Sequence, residues 1–292
     1  MQHPAISDVA ENDTQDAQDA QDEDEDEDDC WTPLQRAALA GDLAAVRAAL
    51  AAGADVNAPA RGYYGRTALQ AACSASREEV VSVLLEAGAE VNDLPGNNDA
   101  KNALQIASGR GGGGGGAGMS ACGAGAGEVV GLLLAAGAEV NAAPAATGGR
   151  TALQAAALGG FEDVARAVME RGAEVNAGAC RARGFTALQA ASYGGHEGLV
   201  GMLLAAGAEV EAEGSRFKGA KALHAAAEGG HARVCGMLLD AGADIDAGAG
   251  VGWGGRQTAL QCAAARGHEE VVALLRRRGA TGTEAGGTFL FG

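Results

Sequence analysis

The sequence predicts an all-α protein, a solenoid of about seven helix–turn–helix units. Two spacings and one compositional fact predict it. The phrase Thr-Ala-Leu-Gln opens units at Thr67, Thr151, Thr186 and Thr258, with close variants at Thr32, Asn102 and Lys221. A glycine follows each opener at a fixed distance: Gly53, Gly88, Gly172, Gly207, Gly242 and Gly279 all lie 21 positions after theirs. Self-similarity at this period is the signature of a stacked array, and arrays bind more often than they catalyse. Aromatics make up only 3% of the 292 residues, and Ala, Leu and Val dominate the apolar content. Such a core is built from small side chains in closely packed helices.

Residues 1–30 form an acidic tail. They hold 13 acids and no Lys or Arg, and Asp22 to Asp29 is unbroken. Like charges at that density repel, so the tail is expected to be disordered, with order beginning near Trp31. The net charge of −17 therefore belongs mostly to the tail, since 25 acids face 21 bases in the remainder.

The array is expected over residues 31–280, in units near 31–65, 66–100, 101–149, 150–184, 185–219, 220–256 and 257–280. The fifth shows the grammar. Thr186 can cap a first helix through its hydroxyl. Leu188, Ala190 and Ala191 form a small apolar face, and Gly194-Gly195-His196 ends the helix, because glycine takes the left-handed geometry favoured at helix ends. Leu199, Val200, Leu203 and Leu204 have the spacing of a second amphipathic helix, which Gly207 stops. The third unit departs from the pattern, with Gly137 lying 35 after Asn102. Its extra residues fall in 109–127, where 11 of 19 are Gly. Such a run cannot hold a helix, so a flexible loop is expected, splitting the array into two-unit and four-unit blocks. Gly131, Gly201 and Gly236 inside second helices each cost about 0.8–1.0 kcal/mol relative to Ala. A soluble array of modest stability follows. Residues 281–292 are a C-terminal tail.

These residues carry a resemblance. TPLQRAALAGDLAAVRAALAAGADVNA at Thr32–Ala58, TALQAACSASREEVVSVLLEAGAEVN at Thr67–Asn92 and the matching stretches through Ala280 resemble ankyrin repeats. The resemblance implies helix pairs joined by β-hairpin fingers in a curved solenoid. Two departures stand out. The period here is 35 for most steps, against 33 for the family, so the fingers are expected to be long. The family's usual first-helix His is Gln35, Gln70, Gln105, Gln154, Gln189 and Gln261 here, and only His224 keeps it. Gln also donates and accepts, so the local hydrogen bonding can survive. The Gln variant with long fingers resembles fungal-type arrays appended to signalling NTPases, which gives an alternative reading as a regulatory or recognition segment.

No catalytic chemistry stands out. The glycine tract satisfies G-x-G-x-x-G trivially and follows a helical segment. His196, His231 and His268 recur in successive Gly-His turns, which reads as helix-start chemistry. Cys30, Cys73, Cys122, Cys180, Cys235 and Cys262 are far apart, with no Cys-x-x-Cys pair, unlike a zinc site or disulfide framework. The expectation is no catalytic residue, no cofactor and no metal. No apolar run approaches the roughly 20 residues that span a bilayer, and no secretory signal is visible. Nucleic acid is a poor fit at a sequence pI of about 4.6. A cytoplasmic or nuclear monomer binding other proteins, acidic segments among them, is the expectation.

In an array the variable positions are free to carry specificity. The resemblance places binding on the fingers and the inner face of the first helices. Just before the openers stand Trp31, Arg66, Lys101, Arg150, Phe185, Ala220 and Gln257. At about 8–10 Å per stacked helix, the three bases form a stripe of about 20 Å. Finger tips carry Tyr63 and Tyr64, Arg181 and Arg183, Arg216, Phe217 and Lys218, and Trp253, while Tyr193 lies eight residues into its unit. Exposed aromatics and Arg are frequent hot-spot types.

Overall fold

A computed structural model describes residues 31–59, 65–93, 101–109, 125–144, 149–180, 184–214, 220–248 and 257–282. These contain fourteen α-helices in seven pairs: α1 (Pro33–Ala40) and α2 (Leu43–Ala51), α3 (Ala68–Ser74) and α4 (Glu78–Glu86), α5 (Ala103–Ser108) and α6 (Ala126–Ala135), α7 (Ala152–Gly159) and α8 (Glu162–Glu170), α9 (Ala187–Gly194) and α10 (Glu197–Ala205), α11 (Ala222–Gly229) and α12 (Ala232–Asp240), and α13 (Ala259–Arg266) and α14 (Glu269–Arg277). The predicted solenoid is what forms. No helix is long and apolar enough to cross a membrane among the described residues.

The first helices start where the sequence places them, through a reciprocal cap. In six units the opener's side chain accepts from the backbone N–H three residues on, and the Gln there accepts from the opener's own N–H. Two donors that helix geometry leaves unpaired are thereby satisfied. Lys221 carries no acceptor, and α11 alone among the first helices has no side-chain cap. Most second helices also lack one. Most of these carry acids in the first turn instead, such as Glu78 and Glu79 or Glu269 and Glu270, which complement the helix dipole.

The odd-numbered helices pack side by side in one layer and the even-numbered helices in a second. Leu34, Leu69, Leu104, Leu153, Leu188, Leu223 and Leu260, two residues after each opener, are buried between them. Leu84, Leu133, Val168, Leu203, Leu238 and Leu275 are their counterparts from the second layer. Burying each such side chain stabilises the fold by roughly 1.5–3 kcal/mol. Alanines fill the space between neighbouring first helices, as Ala190 and Ala191 do on α9, so the helices approach closely.

The expected split of the array at the third unit does not occur. α5 packs between α3 and α7, and α6 packs between α4 and α8. The extra sequence is accommodated within the unit: α5 ends early at Ser108 and α6 begins on Gly125, whose φ of 120° suits glycine. Residues 110–124, the bulk of the glycine-rich insertion, lie outside the described residues, as do residues 1–30 and 283–292. At the finger roots the described residues form turns and hold no strand ladder. The finger tips fall in the stretches left out.

Candidate functional site

The finger roots are fixed by the same glutamines that cap the first helices. Gln35 Nε2 donates to the carbonyls of Ala58 and Pro59 at 3.2 and 3.3 Å. Gln154 Nε2 donates to Ala177 and Gly178 at 2.9 and 3.1 Å. Gln70, Gln105 and Gln189 do the same to Asp93, Ala142 and Ala212. One buried amide thus joins a helix start to the chain 23 residues later, holding each finger root against its own first helix.

His224 stands in for Gln in the sixth unit. Its Nε2–H donates to the carbonyls of Ala247 and Gln257 at 2.9 and 3.0 Å, while Nδ1 has no partner. Burial pushes this imidazole down to about 4, so it is neutral at pH 7. The fifth unit replaces a second repeated residue. Asn57, Asn92, Asn141 and Asn176 each donate to a carbonyl of the next unit and accept from its backbone. Glu211 takes that place before the sixth unit, accepting from Asp244 N–H and pairing with Lys221. Partial burial raises the Glu211 carboxyl, but Lys221 and the Asp244 amide outweigh it and hold the group below the usual carboxylate range.

The Gly-His turns are joints between units. His231 and His268 occupy helix N-cap positions, yet their side chains make no cap bond there. Each ring reaches back to the preceding unit. His231 Nε2–H donates to Tyr193 O at 3.0 Å, and His268 Nε2–H to Glu228 O at 2.9 Å. The rings lie over glycine. A Cβ on Gly195 would stand 2.3 Å from His231 Nδ1, and one on Gly230 2.7 Å from His268 Nδ1. The reading of these histidines as helix-start chemistry is therefore corrected: the sequence separation of 38 between His231 and its acceptor hides the contact.

The positions before the openers and those eight residues into the units meet on one face. Arg66, Lys101 and Arg150 are half-buried there in successive units. Arg66 and Arg150 make no hydrogen bond or ion pair among the described residues. In the next unit Phe185 and Tyr193 stack, with ring centroids 6.3 Å apart and planes 14° from parallel. Tyr193 remains 37% exposed, and only Leu39, at the equivalent place in the first unit, matches it among the described large apolar side chains. Beyond them the face closes on an ion pair, with Glu228, buried, paired to Arg266. The sequence named Arg66, Lys101, Arg150, Phe185 and Tyr193 separately. The fold brings the last two into contact, and sequence reasoning missed the Glu228–Arg266 closure. Tyr63, Tyr64, Arg181, Arg183, Arg216, Phe217, Lys218 and Trp253 lie outside the described residues.

Three of the described thiols, Cys73, Cys235 and Cys262, are not poised for chemistry. Burial raises Cys73 far above the usual thiol range and pushes Cys235 and Cys262 up to about 12. No three His, Cys, Asp or Glu side chains converge as a metal site among the described residues. What the surface offers is a graded strip: apolar at Leu39, cationic across three units, aromatic at Phe185 and Tyr193, then ion-paired.

Comparison with known proteins agrees with this architecture. A family model described as ankyrin repeats (3 copies) matches residues 9–95, 118–214, 175–249 and 212–285. Among solved structures, the crystal structure of the human ASB11 ankyrin repeat domain superposes with a TM-score of 0.69 at 23% identity, covering 87% of this chain and 100% of that one. At that identity the likeness speaks for the fold. No curated protein matches the chain. Ankyrin repeats are in general modules of protein–protein interaction.

Proposed function

We propose that this chain, which belongs to the ankyrin repeat family, is a non-catalytic scaffold that binds partner proteins through the strip formed by its first helices and finger roots. The observation that carries this reading is the division of labour along the repeat. Positions that recur identically are consumed by the fold: the openers and glutamines by caps and finger roots, the leucines by the core, the glycines by turns. The positions before the openers vary, and among them the Arg66 and Arg150 side chains do none of this. The chain sets Arg66, Lys101 and Arg150 beside the stacked Phe185 and Tyr193. Arg and Tyr in one patch suit an acidic partner segment with an apolar anchor, the Arg by paired hydrogen bonds to carboxylates and the rings by area.

The test is affinity capture from the native cell with three full-length baits: the wild-type chain, a variant with Arg66→Ala, Arg150→Ala and Tyr193→Ala, and a variant with Arg166→Ala on the exposed face of α8. The expected result is a partner retained by wild type and by Arg166→Ala and lost from the triple variant, with unchanged far-ultraviolet circular dichroism. Equal capture by all three baits would refute this surface as the binding site.

A further inference from the structure

The basic row has an anionic segment of matching length at its head. Trp31, half-buried against the core, holds in the first unit the position that Arg66, Lys101 and Arg150 hold in the next three. The chain therefore enters the array at one end of the row. Two residues earlier ends the octet Asp22-Glu23-Asp24-Glu25-Asp26-Glu27-Asp28-Asp29. At about 8–10 Å per unit, the three bases stand roughly 9, 18 and 27 Å along the stack from Trp31. At about 3.3–3.6 Å per extended residue, the octet reaches from roughly 7 to 31 Å from the same point. The two spans coincide. In these four units no described residue just before an opener, or seven or eight positions after one, is acidic. Their described acids lie on the second helices, in the turns beside them and in the finger roots, and Arg66 and Arg150 make no ion pair, so nothing on the row already neutralises them.

We propose that Asp22–Asp29 lies along Arg66, Lys101 and Arg150 of its own chain, as an internal competitor for the surface assigned to partners above. The inference rests on that surface being a binding face, and it adds the occupant. Tethering places the octet at an effective concentration on the order of millimolar, enough to hold a contact too weak to form between separate molecules. Partners must displace it, so those with denser negative charge or an added apolar anchor on Phe185 and Tyr193 are selected over weak acidic binders. The contact is electrostatic and exposed, and it weakens as the screening length falls to about 3 Å at 1 M salt.

The test uses the chain's scarcity of lysine. Lys101, Lys218 and Lys221 are its three. A water-soluble carbodiimide joins a carboxylate to an amine only in direct contact, with loss of water. The full-length protein is treated at low micromolar concentration and low salt, and the monomeric product is mapped by mass spectrometry. The expected result is a several-fold excess of links from residues 22–29 to Lys101 over links to Lys218 and Lys221. That excess is lost at 1 M salt and in the Arg66→Ala/Arg150→Ala chain, which keeps Lys101. Equal linkage to all three lysines, salt-independent linkage, or a product of twice the chain mass would overturn the proposal, the last by assigning the contact to a second copy. A second arm separates this inference from the proposed function. With the octet's acids changed to Asn and Gln, partner capture should rise. Capture that depends on the row but is indifferent to the octet would refute the internal contact and leave the binding surface standing.

Discussion

Replacing Gly195 by Ala should destabilise the array through two separable costs. Gly195 ends α9 with φ 72°, a left-handed conformation. Placing a side chain there costs roughly 1–2 kcal/mol. The new Cβ would also stand 2.3 Å from His231 Nδ1 of the following unit. The imidazole must leave, and its 3.0 Å bond to Tyr193 O goes with it. A hydrogen bond of this kind contributes a net of about 0.5–1.5 kcal/mol. The expected total is roughly 2–3 kcal/mol. In a His231→Ala background the ring is already gone, so Gly195→Ala should cost only the conformational part. The coupling between the two sites is then about 1 kcal/mol, well above the roughly 0.3–0.5 kcal/mol scatter of independent sites. Gly267 offers an internal comparison, because its φ is 77° and a Cβ there meets nothing within 4 Å. No unit follows it. Urea unfolding of the four chains of the cycle, monitored by circular dichroism with midpoints and slopes fitted together, measures the coupling. Equal costs of Gly195→Ala in both backgrounds would refute the idea that this glycine is required by its neighbour's ring.

Two further outcomes follow from the same structure. Gln154→Ala should cost more than Thr151→Ala in urea, because it strips the Thr151 N–H of its acceptor and the carbonyls of Ala177 and Gly178 of their donor, whereas the threonine change removes a cap at about 1 kcal/mol. His224→Gln should flatten the acid limb of the stability profile. The folded imidazole titrates near 4 and the unfolded one near 6.5, so between those values the unfolded chain binds the extra proton and stability falls as pH falls. The loss by pH 4 is roughly 3 kcal/mol at about 1.4 kcal/mol per pH unit. Urea midpoints of the wild-type and variant chains at pH 7 and pH 4.5 check it, and parallel profiles would show that His224 is not the titrating group.

The architecture was legible because its cause is local. Each opener, Gln, Leu and Gly sits at a fixed place in a short motif, and helix caps and turns depend on residues within about one turn of each other. The joints between units were not legible. His231 meets Tyr193 and Asn141 meets Gly172 across whole repeats, and nothing in the spacing of one unit says which neighbour a side chain will touch. The strip was half legible. Variation at the positions before the openers pointed to Arg66, Lys101, Arg150 and Phe185, but nothing in the spacing says that Phe185 and Tyr193, at opposite ends of α9, stack on each other. The glycine run misled because its composition says what cannot be helical and is silent on whether the flanking helices stay in register.

That register has a bearing on how such a chain can lengthen. Asn57 and Gly88 are 31 residues apart, and so are Asn141 and Gly172, whereas Asn92 and Gly137 are 45 apart, yet the bonds are 3.1, 3.0 and 3.1 Å. The joint is indifferent to the length of chain between its halves, provided the addition enters between the paired helices. That turn is therefore a place where new sequence can be admitted by mutation, or inserted by an engineer, while the surfaces that neighbouring units offer each other stay unchanged. A duplication of one whole repeat is admitted on the same terms, since each copy brings its own donor and acceptor. The molecule separates what can grow from what must fit.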